Sequence, residues 1–502
     1  MEAKIDFYME KIIETKITRF NRGMTPDSRS GDKAECQLCK HFDNFSYKSK
    51  LVPYKDSEDI IATTQAINGL QTFLMYGGNM FGLGTKSRDL DYASLLRNTD
   101  IPGGGTWNSP TNGEAANGIV SFGLFINYYG VLYFYSSGLN KSGICAYDIA
   151  NTTLYQDNTV VLEATGNVGL VHSANNILFI GSGNIVRKKN NSDGSTPTTG
   201  WTTTALTLPT GFVITDFVED GLYLVMSGYN SDGKYISYFW DMSATSWEDT
   251  KTIIWGEGTS RIIVEKIDGY LVAVSIEGSL SPRLVFRKSY GGLQVKFKEI
   301  YLKSGGASTI FGGQKYNGRL FFGLNATSVG GTTYDYNGIW SVGSNGEGGF
   351  SVNLDRLPNN DTAVDSVKGF IIVQDYVYIS HLKGATYSLS KTNDQTSYTA
   401  QSIYETQKFF IGDSSLIKNL LEVSLTCEKL PANATAKLYY RIDGATSWGT
   451  AFLTISTTDR LSEYINKSIG DYKEIEFRLE SYKGAVITGV SFIEEIIGKK
   501  KQ

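Results

Sequence analysis

The chain contains few of the residues that cross-link small secreted domains or that form common catalytic centres. Among its 502 residues are 4 Cys, 9 Pro and 3 His. Four cysteines are too few for a disulfide framework in a chain of this length, so reduced thiols are expected. No G-x-S-x-G elbow or cysteine-protease context surrounds the histidines, so nucleophilic catalysis with a histidine base is not predicted.

The chain also lacks a strong charge of one sign and any long apolar run. Its formal net charge is −4, which provides no broad basic field to hold nucleic acid by counterion release. No run of 18 apolar residues occurs, and charges are spread through the first 20 residues, which argues against a membrane-spanning helix and a secretion signal. We therefore expect synthesis in a cytoplasm, no nucleic-acid partner and no membrane insertion.

Motifs that could bind a metal or a phosphate are incomplete. Cys36, Cys39 and His41 lie in "CQLCKH", but a structural zinc site needs four ligands and no second Cys or His pair stands at ligand spacing. A buried thiol pair is the simpler interpretation. The Gly-rich strings "PGGGTWN" and "SVGGTTYDYNG" lack the Lys-Ser/Thr of a phosphate loop. The sequence thus predicts no catalytic residue, no cofactor-binding residue, no metal ligand and no cofactor.

Two features could indicate sugar chemistry. "YRIDGATSW", which contains Asp443, superficially resembles the Asp-box of sialidases, but its spacing differs, it occurs once and it lies near the C-terminus, so a hairpin turn is the favoured interpretation. The 7 tryptophans could form stacking platforms for sugars, although packing in a core is the commoner role for this side chain.

What the chain has in abundance is the composition of β-structure. There are 54 Gly, 31 Tyr and 25 Phe, so glycine can supply turns and aromatic residues can supply strands. Seven stretches share a turn dipeptide followed by an apolar and aromatic run, at successive spacings of 61, 46, 45, 48, 49 and 58 residues. They are "NGLQTFL" at Asn68, "YGVLYFY" at Tyr129, "NNILFIG" at Asn175, "DGLYLVM" at Asp220, "DGYLVAV" at Asp268, "NGRLFFG" at Asn317 and "DYVYISH" at Asp375.

Each run is followed by a second strand-like segment, so each unit is predicted to contain an inner strand, an outer strand and room for two more. Strand-only repeats of this period are typical of β-propeller blades. One small twisted sheet cannot bury both faces alone, whereas a closed ring of similar sheets can. The predicted fold is all-β: a seven-bladed β-propeller with an extended N-terminal arm and a C-terminal β-sandwich.

The period defines three predicted parts: an arm over residues 1–59, a propeller over 60–410 and a sandwich over 411–502. The last part alternates cleanly, and in "KEIEFRLE" Ile475, Phe477 and Leu479 are expected to face the core. The charged residues between them are expected to face the other way.

The layout resembles a known class of proteins. An N-terminal "FNRGMTPDSRSGDKAECQLCKHFDNFSYKSKLVPYKDSE", a repeat region without enzyme motifs, and a terminal part with "LYYRIDGATSW" and "EIEFRLE" are similar to virion structural proteins of tailed bacteriophages. The resemblance implies a multi-copy part of a tail, nozzle, baseplate or capsid-attached ornament, localised in the virion.

The function expected on this basis is a non-enzymatic structural component of a phage virion. It would act as a scaffold through contacts with other virion proteins and with copies of itself. The alternatives are a propeller that binds glycans or a host receptor, with a host surface glycan as its partner, and a polysaccharide-degrading enzyme. An enzyme of that kind needs paired carboxylates, and no local motif selects a pair.

Overall fold

A computed structural model gives the fold of most of the chain. It describes residues 11–20, 24, 36–43, 46–59, 67–86, 92–98, 116–117, 124–138, 141–157, 162, 167–190, 199–302, 308–326, 337–345, 349–358, 366–374, 376–383, 386–392, 397–409, 416–466 and 468–499.

The strands of the N-terminal region and of the repeats follow one another through turns and loops, and a short 3-10 turn, Asp249–Lys251, lies between β20 and β21. The first five strands are β1 (Lys11–Ile17), β2 (Cys36–Lys40), β3 (Phe42–Asp43), β4 (Val52–Pro53) and β5 (Ser57–Asp59). The next eight are β6 (Ile67–Tyr76), β7 (Asn79–Lys86), β8 (Tyr92–Asn98), β9 (Ala116–Asn117), β10 (Phe125–Tyr128), β11 (Val131–Gly138), β12 (Lys141–Asp148) and β13 (Thr153–Asp157). Then come β14 (Val168–His172), β15 (Ile177–Ser182), β16 (Ile185–Lys189), β17 (Trp201–Thr207), β18 (Val213–Asp220), β19 (Tyr223–Tyr229), β20 (Lys234–Trp240) and β21 (Ile253–Glu257).

The remaining strands complete the repeats and form the C-terminal region. They begin with β22 (Ile262–Ile267), β23 (Tyr270–Glu277), β24 (Arg283–Tyr290), β25 (Leu293–Tyr301), β26 (Thr309–Tyr316), β27 (Arg319–Asn325), β28 (Gly338–Ser344), β29 (Phe350–Arg356), β30 (Ser366–Val373), β31 (Tyr376–Lys383) and β32 (Thr386–Thr392). They end with β33 (Ser402–Thr406), β34 (Leu416–Cys427), β35 (Thr435–Ile442), β36 (Leu453–Ile455), β37 (Ser462–Asn466), β38 (Asp471–Tyr472), β39 (Ile475–Tyr482) and β40 (Ile487–Lys499).

Seven four-stranded sheets occur within the described residues, and their orders are β6-β7-β8-β9, β10-β11-β12-β13, β14-β15-β16-β17, β18-β19-β20-β21, β22-β23-β24-β25, β26-β27-β28-β29 and β30-β31-β32-β5. We number them sheets 1 to 7 in this order. The prediction of an all-β chain built from many small sheets is therefore confirmed.

Turn dipeptides connect the first two strands of these sheets. Asp268 and Gly269, with φ of 48° and 81°, separate β22 from β23, and Asn317 and Gly318, with φ of 47° and 73°, separate β26 from β27. Asn, Asp and Gly tolerate this left-handed backbone and so favour tight hairpins. The predicted inner strand of each such unit is thus the second strand of its sheet, because the first strand precedes the turn.

The first repeat differs from this scheme. Asn68 lies within β6, and the turn of sheet 1 is formed by Gly77 and Gly78, with φ of 56° and 77°. The "NGLQTFL" stretch is therefore the first strand of its sheet, one strand earlier than the matching runs of the other units. Because this first run lies one strand early, the spacing from Asn68 to Tyr129 is 61 residues and exceeds the spacings that follow.

The chain divides into two compact units. One comprises residues 58–339 and 362–392, and the other comprises 1–57, 340–361 and 393–502. We call them the repeat unit and the terminal unit. The predicted boundaries at 59 and 410 stay a prediction.

Within the repeat unit, the first strands are neighbours in a cyclic order. The strands β6, β10, β14, β18, β22, β26 and β30 each lie beside the next, and β30 lies beside β6. Apolar clusters fill the spaces between successive sheets; one of them joins Phe73 and Met80 of sheet 1 to Ile371, Tyr378 and Leu389 of sheet 7. Each sheet thereby buries its faces against its two neighbours.

The terminal unit contains two five-stranded sheets. One has the order β1-β40-β34-β37, with β38 also paired to β34, and the other has the order β2-β33-β39-β35-β36. Phe477 of β39 and Phe492 of β40 pack with ring centroids 4.9 Å apart, so the two sheets contact each other through aromatic side chains. The N-terminal strands β1 and β2 each pair with a C-terminal strand, antiparallel to β40 and β33 respectively.

The alternation in β39 is as predicted, but its second face is not open to solvent. Ile475, Phe477 and Leu479 are buried, and so are Glu476 and Glu480. Glu476 accepts hydrogen bonds from Arg441 Nε at 2.9 Å and Gln37 Nε2 at 2.7 Å. Neighbouring strands therefore supply cations and amides that cover this charged face.

Candidate functional site

A cavity of about 720 Å³ lies in the repeat unit, where the first strands of sheets 1 to 7 meet. Six of these strands contribute residues to its wall, and sheet 5 contributes Arg261, which directly precedes β22. Small-molecule sites in proteins commonly have volumes of about 300–1,000 Å³ and a few convergent polar groups in their walls. We call this space the central cavity.

β-Bulges interrupt four of the first strands in the described residues. They occur in β6 on either side of Leu70, in β18 at Thr215, in β26 at Gly312 and Gly313, and in β30 at Lys368. A bulge adds a residue without a partner in the ladder and changes the direction in which nearby side chains point. The bulges thus determine which side chains of these strands line the cavity.

Lys368 is the extra residue of the bulge in β30, between Val367 and Gly369. It lines the cavity and makes no hydrogen bond, ion pair or ring contact with another residue in the part of the chain that the structure describes. Burial lowers the pKa of its ammonium group. A cation in this position is available to a ligand.

Side-chain amides of sheet 6 hold β30 on both sides of Lys368. Asn325 Nδ2 donates to the Val367 carbonyl at 2.7 Å and its Oδ1 accepts from the Val367 N–H at 2.8 Å. Gln314 makes the same pair of bonds with Ile372, at 2.9 and 2.8 Å. These bonds satisfy backbone groups that would otherwise be unpaired and fix the bulged segment in place.

Asp216 and Arg261 lie at the junction of sheets 4 and 5. Asp216 Oδ2 accepts a hydrogen bond from the Val264 N–H at 2.7 Å, and Thr215 Oγ1 donates to the Ile262 carbonyl at 3.1 Å. Arg261 Nε is buried without a hydrogen-bond partner among the described residues. The guanidinium therefore lines the cavity next to a carboxylate that is itself bound to the backbone of β22.

The environment shifts the acidity of both groups. Burial raises the pKa of Asp216 to about 7, against the opposing effects of Arg261 and the Val264 N–H. Burial also lowers the pKa of Arg261, and the charge of Asp216 counteracts it. Near neutral pH the Asp216 carboxyl is thus poised between its two protonation states, as acid–base groups in binding and catalytic sites commonly are.

Aromatic rings supply much of the apolar wall. Phe73, Phe125, Phe311 and Phe370 come from sheets 1, 2, 6 and 7. Two glycines make room in this wall: a Cβ on Gly312 would lie 2.6 Å from Phe370 Cε1, and one on Gly169 would lie 2.4 Å from Leu124 Cδ1. The cavity thus combines flat apolar surfaces with a few charged groups.

The features singled out in the sequence lie elsewhere. Cys36 and Cys39 are buried in β2, and His41 is buried directly after it. No group of three or more His, Cys, Asp or Glu that could hold a metal ion occurs among the described residues. Asp443 and Gly444, with φ of 49° and 74°, form a turn after β35, which confirms the hairpin interpretation.

Tryptophans do not line the central cavity in the part of the chain that the structure describes. Trp240, Trp255 and Trp340 are fully buried, in agreement with the core-packing interpretation. Trp107 lies outside the described residues.

Sequence reasoning missed Asp216, Arg261 and Lys368. A usable signal was present in "SVKGFIIV", where Lys368 and Gly369 interrupt an otherwise apolar strand that must be buried on both faces. "FGGQ" around Gly312 carries a similar signal, since glycine inside a strand often marks a bulge.

No helix in the described residues is long and apolar enough to span a membrane. No protein-family model matches the chain, and no curated protein matches its sequence.

Several solved structures are similar to the chain. A mutant of Trypanosoma rangeli sialidase displaying trans-sialidase activity has 9% identity and a TM-score of 0.33, over 97% of this chain and 96% of that one. The exo-β-1,3-galactanase of Phanerochaete chrysosporium with galactose has 11% identity and a TM-score of 0.29, over 86% and 96%. SapL1 lectin in complex with α-methyl fucoside has 14% identity and a TM-score of 0.34, over 60% and 99%.

These comparisons correct two expectations of the sequence analysis. The similar structures include a sialidase, glycoside hydrolases and a lectin, and none of those named here is a virion protein. The similarities contradict the expectation of a non-enzymatic virion scaffold, and the expectation that enzymatic activity is absent is contradicted with it. The all-β and β-propeller class is supported, whereas the resemblance to phage virion proteins and the virion localisation stay predictions.

Proposed function

We propose that this chain is a glycan-binding protein whose binding site is the central cavity. In this proposal sheets 1 to 7 are the blades of a seven-bladed β-propeller, and the two sheets of the terminal unit form a β-sandwich. The observation that carries the proposal is that all seven sheets contribute to the wall of one cavity of about 720 Å³. Six of them do so through their first strands, and sheet 5 does so through Arg261, which directly precedes β22.

The chemistry of the wall supports a sugar as the ligand. A sugar ring has apolar faces that pack against aromatic rings and a polar edge that needs hydrogen-bonding groups. Phe125 and Phe311, which are only partly buried, offer such rings, and Arg261 and Lys368 offer donors. The volume suits one or two sugar residues, since ligand sites of this kind are of similar size.

Occlusion of the cavity tests the proposal. The wild-type protein is first screened on an array of glycans, and the affinity for the best ligand is measured by isothermal titration calorimetry. Lys368→Trp places a bulky ring in the cavity, whereas Lys383→Trp places the same ring at an exposed position on β31 of the same sheet. We expect the first variant to lose at least tenfold in affinity and the second to retain the wild-type value.

A second occluding variant guards against misfolding. Arg261→Trp blocks the cavity from sheet 5, and circular dichroism melts report whether each variant is folded. If folded Lys368→Trp and Arg261→Trp proteins bind the glycan as tightly as the wild type, the cavity is not the site. If no glycan binds the wild type, the proposed function is wrong.

Hydrolysis is a second candidate function, supported by one observation. A glycosidase acid must hold its proton near neutral pH, and the pKa of Asp216 is raised to about 7. A reducing-sugar release assay on the wild type and on Asp216→Asn tests it. Turnover that disappears in the variant supports hydrolysis, and the absence of turnover on any bound glycan leaves binding as the function.

A further inference from the structure

The three titratable side chains among the described lining residues are Asp216, Arg261 and Lys368. Two are cations and one is an acid, so the wall carries an excess of positive charge. Lys368 and Arg261 are partly buried, and a charge that is partly removed from water is costly unless it is paired. The unbalanced charge therefore indicates a ligand of opposite sign.

Neither cation is used to hold the fold together. Lys368 has no partner among the described residues, and Arg261 makes no hydrogen bond or ion pair there, its Nε being buried and unsatisfied. Arg287, in contrast, forms a two-pronged pair with Glu277 in the same unit. The chain thus contains the usual structural arrangement for a buried arginine, and Arg261 does not adopt it.

Asp216 does not neutralise both cations. Its Oδ2 accepts the Val264 N–H, which fixes the carboxyl to β22. Because burial raises its pKa to about 7, a substantial fraction of the molecules carry it uncharged at neutral pH. The cavity therefore has a net charge between one and two positive charges, depending on pH.

We propose that the ligand of the central cavity is an acidic sugar, whose anionic group is bound by Arg261 and Lys368. This inference rests on the proposed function and adds the chemical class of the glycan. Arginine matches a carboxylate or a sulfate ester with two parallel hydrogen bonds, and lysine adds a point charge. The sugar ring then packs against the partly buried rings of Phe125 and Phe311.

The proposal makes the affinity for acidic sugars depend on pH. When Asp216 is protonated, the negative charge next to Arg261 disappears and the anion is no longer repelled. The affinity for an acidic sugar is therefore expected to rise by several-fold from pH 8.5 to pH 6, whereas the affinity for a neutral sugar is expected to stay constant. Glu265 and Arg261 are the other charged groups that act on Asp216.

Calorimetric titration of the full chain tests the inference. The probes are glucuronic acid and glucose 6-sulfate as acidic sugars, glucose as their neutral counterpart, and acetate and sulfate as free anions. The variants are Arg261→Gln and Lys368→Met, which remove the charge and keep most of the side-chain length. Lys383→Met removes a charge from an exposed position on the neighbouring strand and serves as the control.

We expect an acidic sugar to bind at least tenfold more tightly than glucose, and each cavity variant to lose at least tenfold for the acidic sugar only. The preference for carboxylate or sulfate identifies the anionic group. If acidic and neutral sugars bind equally, the inference is overturned while glycan binding stands. If free acetate or sulfate binds as tightly as the sugars, the site holds an inorganic anion and the inference is also overturned. If no sugar binds at all, the proposed function itself is wrong.

Discussion

Gln314 holds Ile372 by two hydrogen bonds: its Nε2 donates to the Ile372 carbonyl at 2.9 Å, and its Oε1 accepts from the Ile372 N–H at 2.8 Å. A side-chain amide thereby takes the place of a neighbouring strand between sheets 6 and 7. Asn325 makes the same arrangement with Val367. Together they fix the segment of β30 that carries Lys368 into the cavity wall.

Removal of one of these amides should loosen β30. Asn325→Leu leaves the N–H and carbonyl of Val367 without partners, and we expect a loss of about 2–6 kcal/mol in the free energy of unfolding, since each of the two buried unsatisfied groups costs about 1–3 kcal/mol. Urea denaturation measures this loss, and amide hydrogen exchange should be faster at Val367. The control is Asn466→Leu, at an exposed position of β37. Equal stability of the two variants would show that the amide does not hold the strand.

The bulge in β26 should require glycine. Gly312 has a φ of 70°, and an added Cβ would lie 2.6 Å from Phe370 Cε1. Gly312→Ala is therefore expected to cost about 2–5 kcal/mol, from backbone strain of about 1–2 kcal/mol and overpacking of about 1–3 kcal/mol. Gly291→Ala is the matched control, because Gly291 has a φ of 62° with nothing within 4 Å of the added Cβ. It should show the backbone cost alone in thermal melts, and a Gly312→Ala protein as stable as this control would contradict the packing shown here.

Asp216 should make stability depend on pH. Its folded-state pKa of about 7 lies above the ordinary value of about 3.9 for an unfolded chain, so the folded state binds the proton more tightly. Its contribution to stability is fully present below about pH 4 and is lost as the pH rises through about 7. Asp216→Asn removes this dependence, so the variant should gain roughly 2–3 kcal/mol on the wild type between pH 5 and pH 9.

Denaturation curves recorded from pH 5 to pH 9 check this sign. The control is Asp459→Asn, at a carboxylate that is 90% exposed, and its curves should run parallel to those of the wild type. A constant difference between wild type and Asp216→Asn over this range would show that the buried carboxyl does not titrate there.

In the terminal unit, Glu476 should depend on Arg441. The Glu476 side chain is 3% exposed and accepts a hydrogen bond from Arg441 Nε at 2.9 Å. Arg441→Met removes its cation and leaves a buried carboxylate uncompensated, at an expected cost of about 3–5 kcal/mol. Lys429→Met breaks the exposed pair with Asp459 and should cost less than about 1 kcal/mol. Similar losses for the two variants in urea denaturation would contradict this assignment.

The fold class could be predicted from the sequence because a hairpin turn is determined by residues that are adjacent in the chain. Asp268-Gly269 and Asn317-Gly318 are residue pairs that adopt positive φ readily, and they do so here. The period of the repeat is therefore recognisable from the residue types alone. Reliance on this local signal also explains the error in the first unit, where Asn68-Gly69 is a typical turn dipeptide but lies within β6. A dipeptide does not show which strand of a sheet comes first.

The cavity could not be predicted from the sequence because it is formed by residues that are far apart in the chain. Asp216, Arg261 and Lys368 belong to three sheets, and the bulge that exposes Lys368 depends on its pairing with β31. Burial of Glu476 was missed for a similar reason, since Gln37 reaches it from a strand 439 positions away. Periodicity predicts which side of a strand a residue faces, but it does not predict what covers that side.

The most direct test is a crystal structure of the full chain soaked with glucuronic acid. The account predicts one sugar in the space surrounded by β6, β10, β14, β18, β22, β26 and β30, with its carboxylate within hydrogen-bond distance of Arg261 and Lys368. A sugar bound only outside this space, or first strands that do not surround a common cavity, would contradict it.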